Sequence, residues 1–296
     1  MRKKQSETLV SRKYKKRSLF VESLHRIRTN PGAVFGLVVL LLIILLTIYS
    51  FIFIGYDKVV AMDPINRFQP PNAAHPFGTD NMGRDLFIRT IYGSRYSLAV
   101  AFGSVGFGLI IGTFLGAIAG YYGGAIEELL MRATDVLASI PALLLGMVIV
   151  AVFGASLANL LIAVGISVIP SFVRMTRASV MSVKNNEYVE AAKAIGMSDF
   201  RTAFSQVLPN SLSPLIVTAT ARMATSILQA AALSFLGFGV PVPLPEWGAL
   251  ISGGRNYIML APYMTLYPGI FIMVMTFACA LLGDGLRDAL DPRLKK

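Results

Sequence analysis

The 296-residue sequence is poor in the residues that carry most enzyme and metal chemistry. It contains a single cysteine, Cys279, which excludes an internal disulfide. Its two histidines, His25 and His75, lie far apart, so we expect no metal site and no Ser/His/Asp or Cys/His catalytic set. No glycine is followed by lysine, which excludes a GxxxxGK[ST] phosphate loop. The chain is therefore not expected to be an enzyme, to hydrolyse ATP or to hold a cofactor of its own.

Charge is also scarce in this sequence. Only 15% of the residues are charged, against roughly 25% in soluble domains. Hydrophobic residues make up 55%, and the mean hydropathy is +0.64. These values predict an integral membrane protein. The net charge of +11 does not indicate nucleic-acid binding, because the basic residues cluster at the predicted cytoplasmic edges of the apolar segments.

The N-terminal part combines a basic tail with a long uncharged run. Residues 1–31 carry ten Lys or Arg against two Glu, which predicts a cytoplasmic tail near anionic lipid or a plain topology signal. Ala33–Gly55 is uncharged for 23 residues, well beyond the roughly 7 to 15 residues of a signal-peptide core. It is predicted to be a retained first transmembrane helix, and residues 32–95 are assigned to this helix and an external loop.

The external loop is rich in proline and ends in a polar segment. Asp80 is expected to cap a helix from Arg84 to Tyr92 that lies along the membrane surface. Together, His75, Asp80 and Asp85 could suggest a metal site. Because the segment offers one imidazole and no further ligands to complete a coordination shell, helix capping and ion pairing are favoured instead.

Glycine is regularly spaced in the next apolar run. Leu98–Ala125 is uncharged, and four of its glycines occur at every fourth position: Gly108, Gly112, Gly116 and Gly120. Successive GxxxG steps leave one helix face without side chains, which predicts a seam where a second helix packs closely. The charged segment from Glu127 to Asp135 is expected to be a short cytoplasmic turn.

Two further apolar runs complete the predicted spans. Val136–Val173 is uncharged for 38 residues, about 57 Å as a straight helix, so it should fold back at Gly154–Ser156 into two spans. The prolines at 141 and 170 are expected to kink these spans. The last span is expected at Pro262–Gly283, followed by a cytoplasmic tail at 285–296.

The fifth span, predicted at Ser211–Gly239, contains one charged residue. Arg222 lies near the middle of this span, where a charge costs about 2.5 to 3.5 kcal/mol. It should therefore face a partner or a watery cavity. Two interpretations stay open: Arg222 and Gln229 line a substrate path, or Arg222 forms a structural pair with a carboxylate or a helix-end carbonyl.

Residues 186–210 form a polar island between long apolar runs, and the pattern predicts two short helices joined by a tight turn. Positions i, i+3, i+4 and i+7 place one stripe on the first helix: Tyr188, Ala191, Ala192 and Ile195. Gly196 should end this helix. Ser198 can cap the second helix, and Pro209 should close it.

The first helix of this island has the properties of a docking surface. Ala191 and Ala192 allow another protein to approach the helix backbone closely, while Glu190 and Lys193 are spaced for an i,i+3 ion pair. One alternative is a solvated connector that packs on its own domain. Another is a DNA-binding helix-turn-helix, which is disfavoured because a membrane chain would hold both helices against the bilayer.

Several of these residues resemble a known family. One set is Glu190-Ala191-Ala192, Gly196 and Leu208-Pro209. It is similar to the EAA loop of binding-protein-dependent ABC transporter permeases, whose EAA helix docks on the ATPase subunit. Segments 75–98, 234–248 and 283–296 resemble the dipeptide, oligopeptide and nickel branch, and in particular its C-type (second) permease. The resemblance runs from His75 to the C-terminus, whereas the basic tail and first span look generic.

The resemblance implies an all-α integral membrane protein with six transmembrane helices and a cytoplasmic coupling-helix loop, the type I importer transmembrane domain. Residues 96–284 would form the core permease domain, with the coupling loop at 185–210. The residues implied in ATPase coupling are Tyr188, Glu190, Ala191, Ala192, Ile195, Gly196, Met197 and Asp199. The loop would end at Leu208 and Pro209.

The implied function is an ATP-driven importer permease that forms half of a path for di- or oligopeptides. Nickel, metal chelates or glutathione are alternative substrates. The implied partners are a homologous first permease, two ABC ATPases that bind ATP and Mg, an extracytoplasmic binding protein and membrane lipid. Cytoplasmic segments would hold 20 Lys or Arg and external segments 6, which favours cytoplasmic termini in a bacterial inner membrane. A self-sufficient channel or carrier is the rival, although a carrier usually has ionisable midplane residues and an inverted repeat.

Overall fold

A computed structural model of the protein describes residues 28–290. Most of the predicted basic tail and residues 291–296 of the predicted C-terminal tail lie outside the described residues. The first half of the described chain contains α1 (Pro31–Phe53), α2 (Tyr56–Val60), α3 (Leu86–Tyr122), α4 (Gly124–Ser139), α5 (Ala142–Phe153) and α6 (Leu157–Val183). The second half contains α7 (Glu187–Ala194), α8 (Asp199–Thr202), α9 (Leu208–Asn210), α10 (Ser213–Phe235), α11 (Trp247–Gly254) and α12 (Tyr263–Leu290).

The predicted all-helical membrane architecture is confirmed. Within residues 28–290, five helices are long and apolar enough to cross a membrane: α1, α3, α6, α10 and α12. A sixth candidate span is broken, because α4 and α5 meet at a bend of 86°. Two domain boundaries expected from the sequence, at 95/96 and 284/285, fall inside α3 and α12.

The expectation of a short turn before the third span was wrong. The charged segment is the 16-residue helix α4, and the apolar helix α5 begins only at Ala142 and has 12 residues. Pro141 explains the break, because proline disfavours helical backbone at the preceding residue, and Ile140 is extended with φ −83° and ψ 124°. The turn between α5 and α6 lies where it was predicted. Gly154 there has φ +88°, and the Ser156 side chain caps α6 by accepting from the Asn159 amide at 3.1 Å.

The start of α3 also differs from the expectation. Its N-cap is Asp85 rather than Asp80, since Asp85 Oδ1 accepts from the Ile88 amide at 2.9 Å. The helix expected at Arg84–Tyr92 is not a separate element but the first part of the span, because α3 runs without a break for 37 residues. Asp80 instead closes the preceding turn and pairs with Arg84 Nε at 2.6 Å. Nδ1 of His75 lies 2.7 Å from Asp85 Oδ2, so all three side chains take part in helix capping or ion pairing.

The main core lies where α11 enters the helix bundle. Trp247 is fully buried among side chains of α1, α3, α10 and α12. Its indole Nε1 donates to the Thr90 carbonyl at 2.9 Å, and Glu246 beside it caps α11 and accepts from Ser97. Helix α11 therefore fixes α3 against α10 and α12.

Candidate coupling loop and membrane cavity

The loop between α6 and α10 begins with the short helix α7, which ends in a Schellman turn. Gly196 has φ +85°, its amide donates to the Lys193 carbonyl at 2.9 Å, and the Met197 amide donates to the Ala192 carbonyl at 3.1 Å. Both bonds satisfy carbonyls at the end of the helix, and the backbone at position 196 favours glycine. The predicted end of this helix is confirmed.

Helix α7 has a buried face and an exposed face. Val189 and Ala192 are buried, whereas Tyr188 is 40% exposed, Ile195 is 81% exposed and Ala191 is also exposed. The prediction that Ala192 shares one stripe with the other three residues was therefore wrong. The helical period of 3.6 places Ala192 one turn from Val189, on the face that packs against the protein.

Tyr121, at the end of α3, is the main anchor of this loop. Its hydroxyl donates to Asp199 Oδ1 at 2.8 Å, and Lys193 Nζ lies 5.1 Å from its ring centroid. Lys193 is thus directed to Tyr121 and forms no ion pair with Glu190 in the described part of the chain. Val189 and Val207 pack in the same buried cluster as Tyr121. Sequence reasoning missed Tyr121 and Val189, although a tyrosine at the polar end of an apolar helix is a usable signal.

The second half of the loop is one nearly continuous helical stretch through α8, a π-helical turn at Ala203–Val207 and α9. Pro209 lies inside this stretch and does not close it, because helical structure continues to Asn210. The Leu208 amide donates to the Ala203 carbonyl, five residues back, and this wider turn accommodates the proline ring. Ser198 occupies the N-cap position, but its side chain forms no capping bond there.

The four regularly spaced glycines of α3 all face α6. A Cβ atom on any of them would lie within 3.0 Å of an atom of α6. The first atoms met would be Val168 Cγ2 at Gly108, Phe172 Cβ at Gly112, Val173 O at Gly116 and Arg177 O at Gly120. The two helices therefore pack backbone to backbone. Lys184, just past α6, extends this contact by donating to the Gly120 carbonyl at 2.9 Å.

Arg222 of α10 faces a cavity of about 540 Å³ between the α4–α5 bend, α6 and α10. Its guanidinium donates to Ser171 Oγ, with Nη2 at 2.7 Å and Nε at 3.1 Å. Within residues 28–290 it forms no ion pair with a carboxylate. Gln229 lies two turns further along α10, where it accepts from Ser167 Oγ and donates to the Ala142 carbonyl, both at 3.1 Å.

Ion pairs join α4 to α6 at one edge of this cavity. Arg174 Nη2 lies 2.8 Å from Asp135 Oδ1, and both side chains are about half exposed. One turn further, Arg177 pairs with Glu127. Arg174 lines the same cavity as Arg222, so the cavity contains one arginine with a carboxylate partner and one that has none among residues 28–290.

Comparison with known proteins agrees with this arrangement. Residues 112–296 match the family model "Binding-protein-dependent transport system inner membrane component", and residues 18–71 match "N-terminal TM domain of oligopeptide transport permease C". The second match corrects the expectation that the first span is generic.

Similar curated proteins cover nearly the whole chain. The dipeptide transport system permease protein DppC of Alkalihalophilus pseudofirmus is 45% identical, over 93% of this chain and 90% of that protein. A glutathione transport system permease protein, GsiD of Pectobacterium atrosepticum, is 40% identical over 91% and 89%. The oligopeptide transport system permease protein OppC of Bacillus subtilis is 37% identical over 94% and 91%.

The fold is similar to a solved structure of the MetNI methionine ABC transporter in an inward-facing conformation. The TM-score is 0.55 at 20% identity, covering 70% of this chain and 96% of that chain. The chain therefore belongs to the family of binding-protein-dependent transport system inner membrane components, as a multi-pass permease subunit of the branch that contains DppC and OppC.

Proposed function

We propose that this chain is the second permease of an ATP-driven importer for di- or oligopeptides, and that α7 couples it to the ATPase subunits. The observation that carries the proposal is the division of α7 into two faces. The side chains of Val189 and Ala192 are buried and hold the helix against the protein. On the opposite side, Tyr188, Ala191 and Ile195 form an exposed face that combines large and small side chains. A helix held in this way can receive a partner and transmit its displacement.

The path of that displacement follows from the contacts of the loop. Tyr121 and the surrounding buried cluster join α7 and the π turn to the end of α3. The glycine seam then joins α3 to α6 without intervening side chains. Because α6 and α10 flank the cavity, a movement of α7 would change the width of the cavity as these helices move as rigid bodies.

The same proposal includes the other members of the complex. A homologous first permease would supply the other half of the path, two ABC ATPases would bind ATP and Mg, and an extracytoplasmic binding protein would deliver the cargo. This chain would contain no ATPase site, in keeping with its lack of a phosphate loop. The excess of Lys and Arg in one set of loops supports cytoplasmic termini in a bacterial inner membrane. Peptide as cargo is supported by the relatives named for dipeptides, oligopeptides and glutathione.

The test is peptide uptake into proteoliposomes that contain the whole complex. We expect uptake by the wild type to require ATP and the binding protein. The change Ala191→Trp should leave the complex inserted in the membrane but uncouple ATP hydrolysis from uptake, because the indole would prevent the ATPase from fitting closely on the exposed face of α7. Ala155→Trp, at an exposed alanine of the α5–α6 turn, is the matched control and should transport normally.

Two outcomes would contradict the proposal. Uptake by this chain alone, without ATPase subunits, would indicate a self-sufficient channel or carrier. Normal ATP-dependent uptake by Ala191→Trp would remove α7 from the coupling path.

A further inference from the structure

Arg222 is a charged residue in the middle of a membrane-spanning helix, and its side chain faces a cavity rather than an acidic residue of the described chain. We propose that Arg222 and Ser171 form an anion-recognition site that holds a carboxylate of the cargo as it crosses the membrane. This inference rests on the proposed function, since it names the chemical group that the path recognises.

The hydrogen bonds of Arg222 leave capacity for a ligand. A guanidinium has five N–H donors in a planar fork. Here Nε and Nη2 converge on a single acceptor, Ser171 Oγ, at 3.1 and 2.7 Å. The Ser171 hydroxyl accepts from Arg222 and can donate its own hydrogen to the same anion. Together the two side chains can offer a carboxylate at least two donors, the geometry in which arginine binds carboxylates best.

Arg174 provides an internal comparison. It lines the same cavity, but Asp135 lies 2.8 Å from it and neutralises its charge. Arg222 is therefore the charge in the described cavity that is not balanced by a carboxylate. Apart from the two arginines, the lining consists of apolar side chains and the hydroxyls of Ser167 and Ser171.

The walls of the cavity explain why a carboxylate would need such a site. An anion that enters an apolar path loses its hydration, which is strongly unfavourable unless a cation and hydrogen bonds replace the water. A peptide with a free C-terminus always carries this group. The volume of about 540 Å³ lies within the range of about 300–1,000 Å³ that is usual for small-molecule sites. A cationic side chain at this point lowers the barrier for the anionic end of the cargo and does little for a neutral end.

The experiment compares two cargoes that differ in this group alone. Uptake of a tripeptide with a free C-terminal carboxylate and of its C-terminal amide is measured in proteoliposomes with the whole complex. Both peptides are supplied at concentrations that saturate the binding protein, so that differences in capture do not contribute. We expect the wild type to transport the carboxylate form faster than the amide.

The variants then assign this preference to Arg222. Arg222→Gln should reduce uptake of the carboxylate form about tenfold, as expected for the loss of one charge-assisted pair, and leave the amide within about twofold. Arg222→Lys keeps the charge and should retain most of the preference. The matched control is Arg174→Gln combined with Asp135→Asn, which removes a neutralised pair from the edge of the same cavity without changing its net charge and should leave the carboxylate-to-amide ratio unchanged.

The outcomes separate this inference from the function on which it rests. If the wild type imports neither peptide with ATP, the proposed function fails and the inference fails with it. If the wild type imports both at the same rate, or if Arg222→Gln slows both equally, the function stands and the inference is overturned. An equal loss for both cargoes would indicate a structural role for Arg222 that does not depend on the cargo carboxylate. If Arg222→Gln does not assemble, the wild-type preference and Arg222→Lys still decide the question.

Discussion

A single methyl group added at Gly116 tests how closely α3 and α6 must approach each other. In Gly116→Ala, the new Cβ would lie 2.6 Å from the Val173 carbonyl oxygen and 2.7 Å from Thr176 Cβ. Ordinary contacts of a Cβ begin near 3.4 Å, so the helices must separate by several tenths of an ångström. Overpacking of this kind costs about 1–3 kcal/mol, and the gain in helix propensity from glycine to alanine offsets about 1 kcal/mol. The expected net loss is therefore up to about 2 kcal/mol.

The matched control lies on the same helix. A Cβ at Gly106 would meet no atom within 4 Å, so Gly106→Ala should gain up to about 1 kcal/mol from helix propensity alone. Thermal unfolding can be followed through Cys279, the single cysteine, whose buried thiol reacts with a dye when α12 opens. The partner subunits used in this assay should contain no cysteine, so that the dye reports on Cys279 alone. Equal unfolding temperatures for Gly116→Ala and Gly106→Ala would refute the backbone-to-backbone seam.

Two further predictions concern Tyr121, which anchors the loop, and the turn closed by Asp80 before α3. Tyr121→Phe removes the hydrogen bond to Asp199, worth about 0.5–1.5 kcal/mol. It should lower the amount of peptide imported per ATP hydrolysed, whereas Tyr122→Phe, at an exposed ring, should not; equal coupling ratios would exclude the anchor role. Asp80→Asn leaves two buried arginines facing a neutral side chain and should destabilise the chain by about 3–5 kcal/mol. Glu128→Gln breaks an exposed i,i+4 pair and should cost under about 0.5 kcal/mol, so similar unfolding temperatures for these two variants would contradict the ionic role of Asp80.

The local features predicted best are those whose physical cause lies within a few residues. The turn at Gly154 and the end of α7 at Gly196 both follow from backbone conformations that favour glycine, and the structure has both. The expected helix-packing face of α3 followed from glycine spacing alone, and these glycines face α6 in the structure.

The features that were missed depend on partners far away in the sequence. The buried face of α7 is set by Val189 packing with the end of α3, and no local pattern distinguished Val189 from its exposed neighbours. The hydrogen-bond partner of Arg222 is Ser171, on another helix. The charged residues between Glu127 and Asp135 predicted a polar turn, whereas the structure has the helix α4 there. Two of these residues form ion pairs with α6, a partner that the local sequence does not reveal.

The central claim is that displacement enters this subunit through the exposed face of α7, on the cytoplasmic side of the membrane. The side of the membrane on which α7 lies can be measured with a single engineered thiol. The chain has one cysteine, so the double change Cys279→Ser and Ala191→Cys places the only thiol of the chain on α7. In sealed vesicles of known orientation, a membrane-impermeant thiol reagent should label position 191 from the cytoplasmic side only, and bound ATPase subunits should protect it. Labelling from the external side, or labelling that the ATPase subunits leave unchanged, would contradict the coupling role of α7.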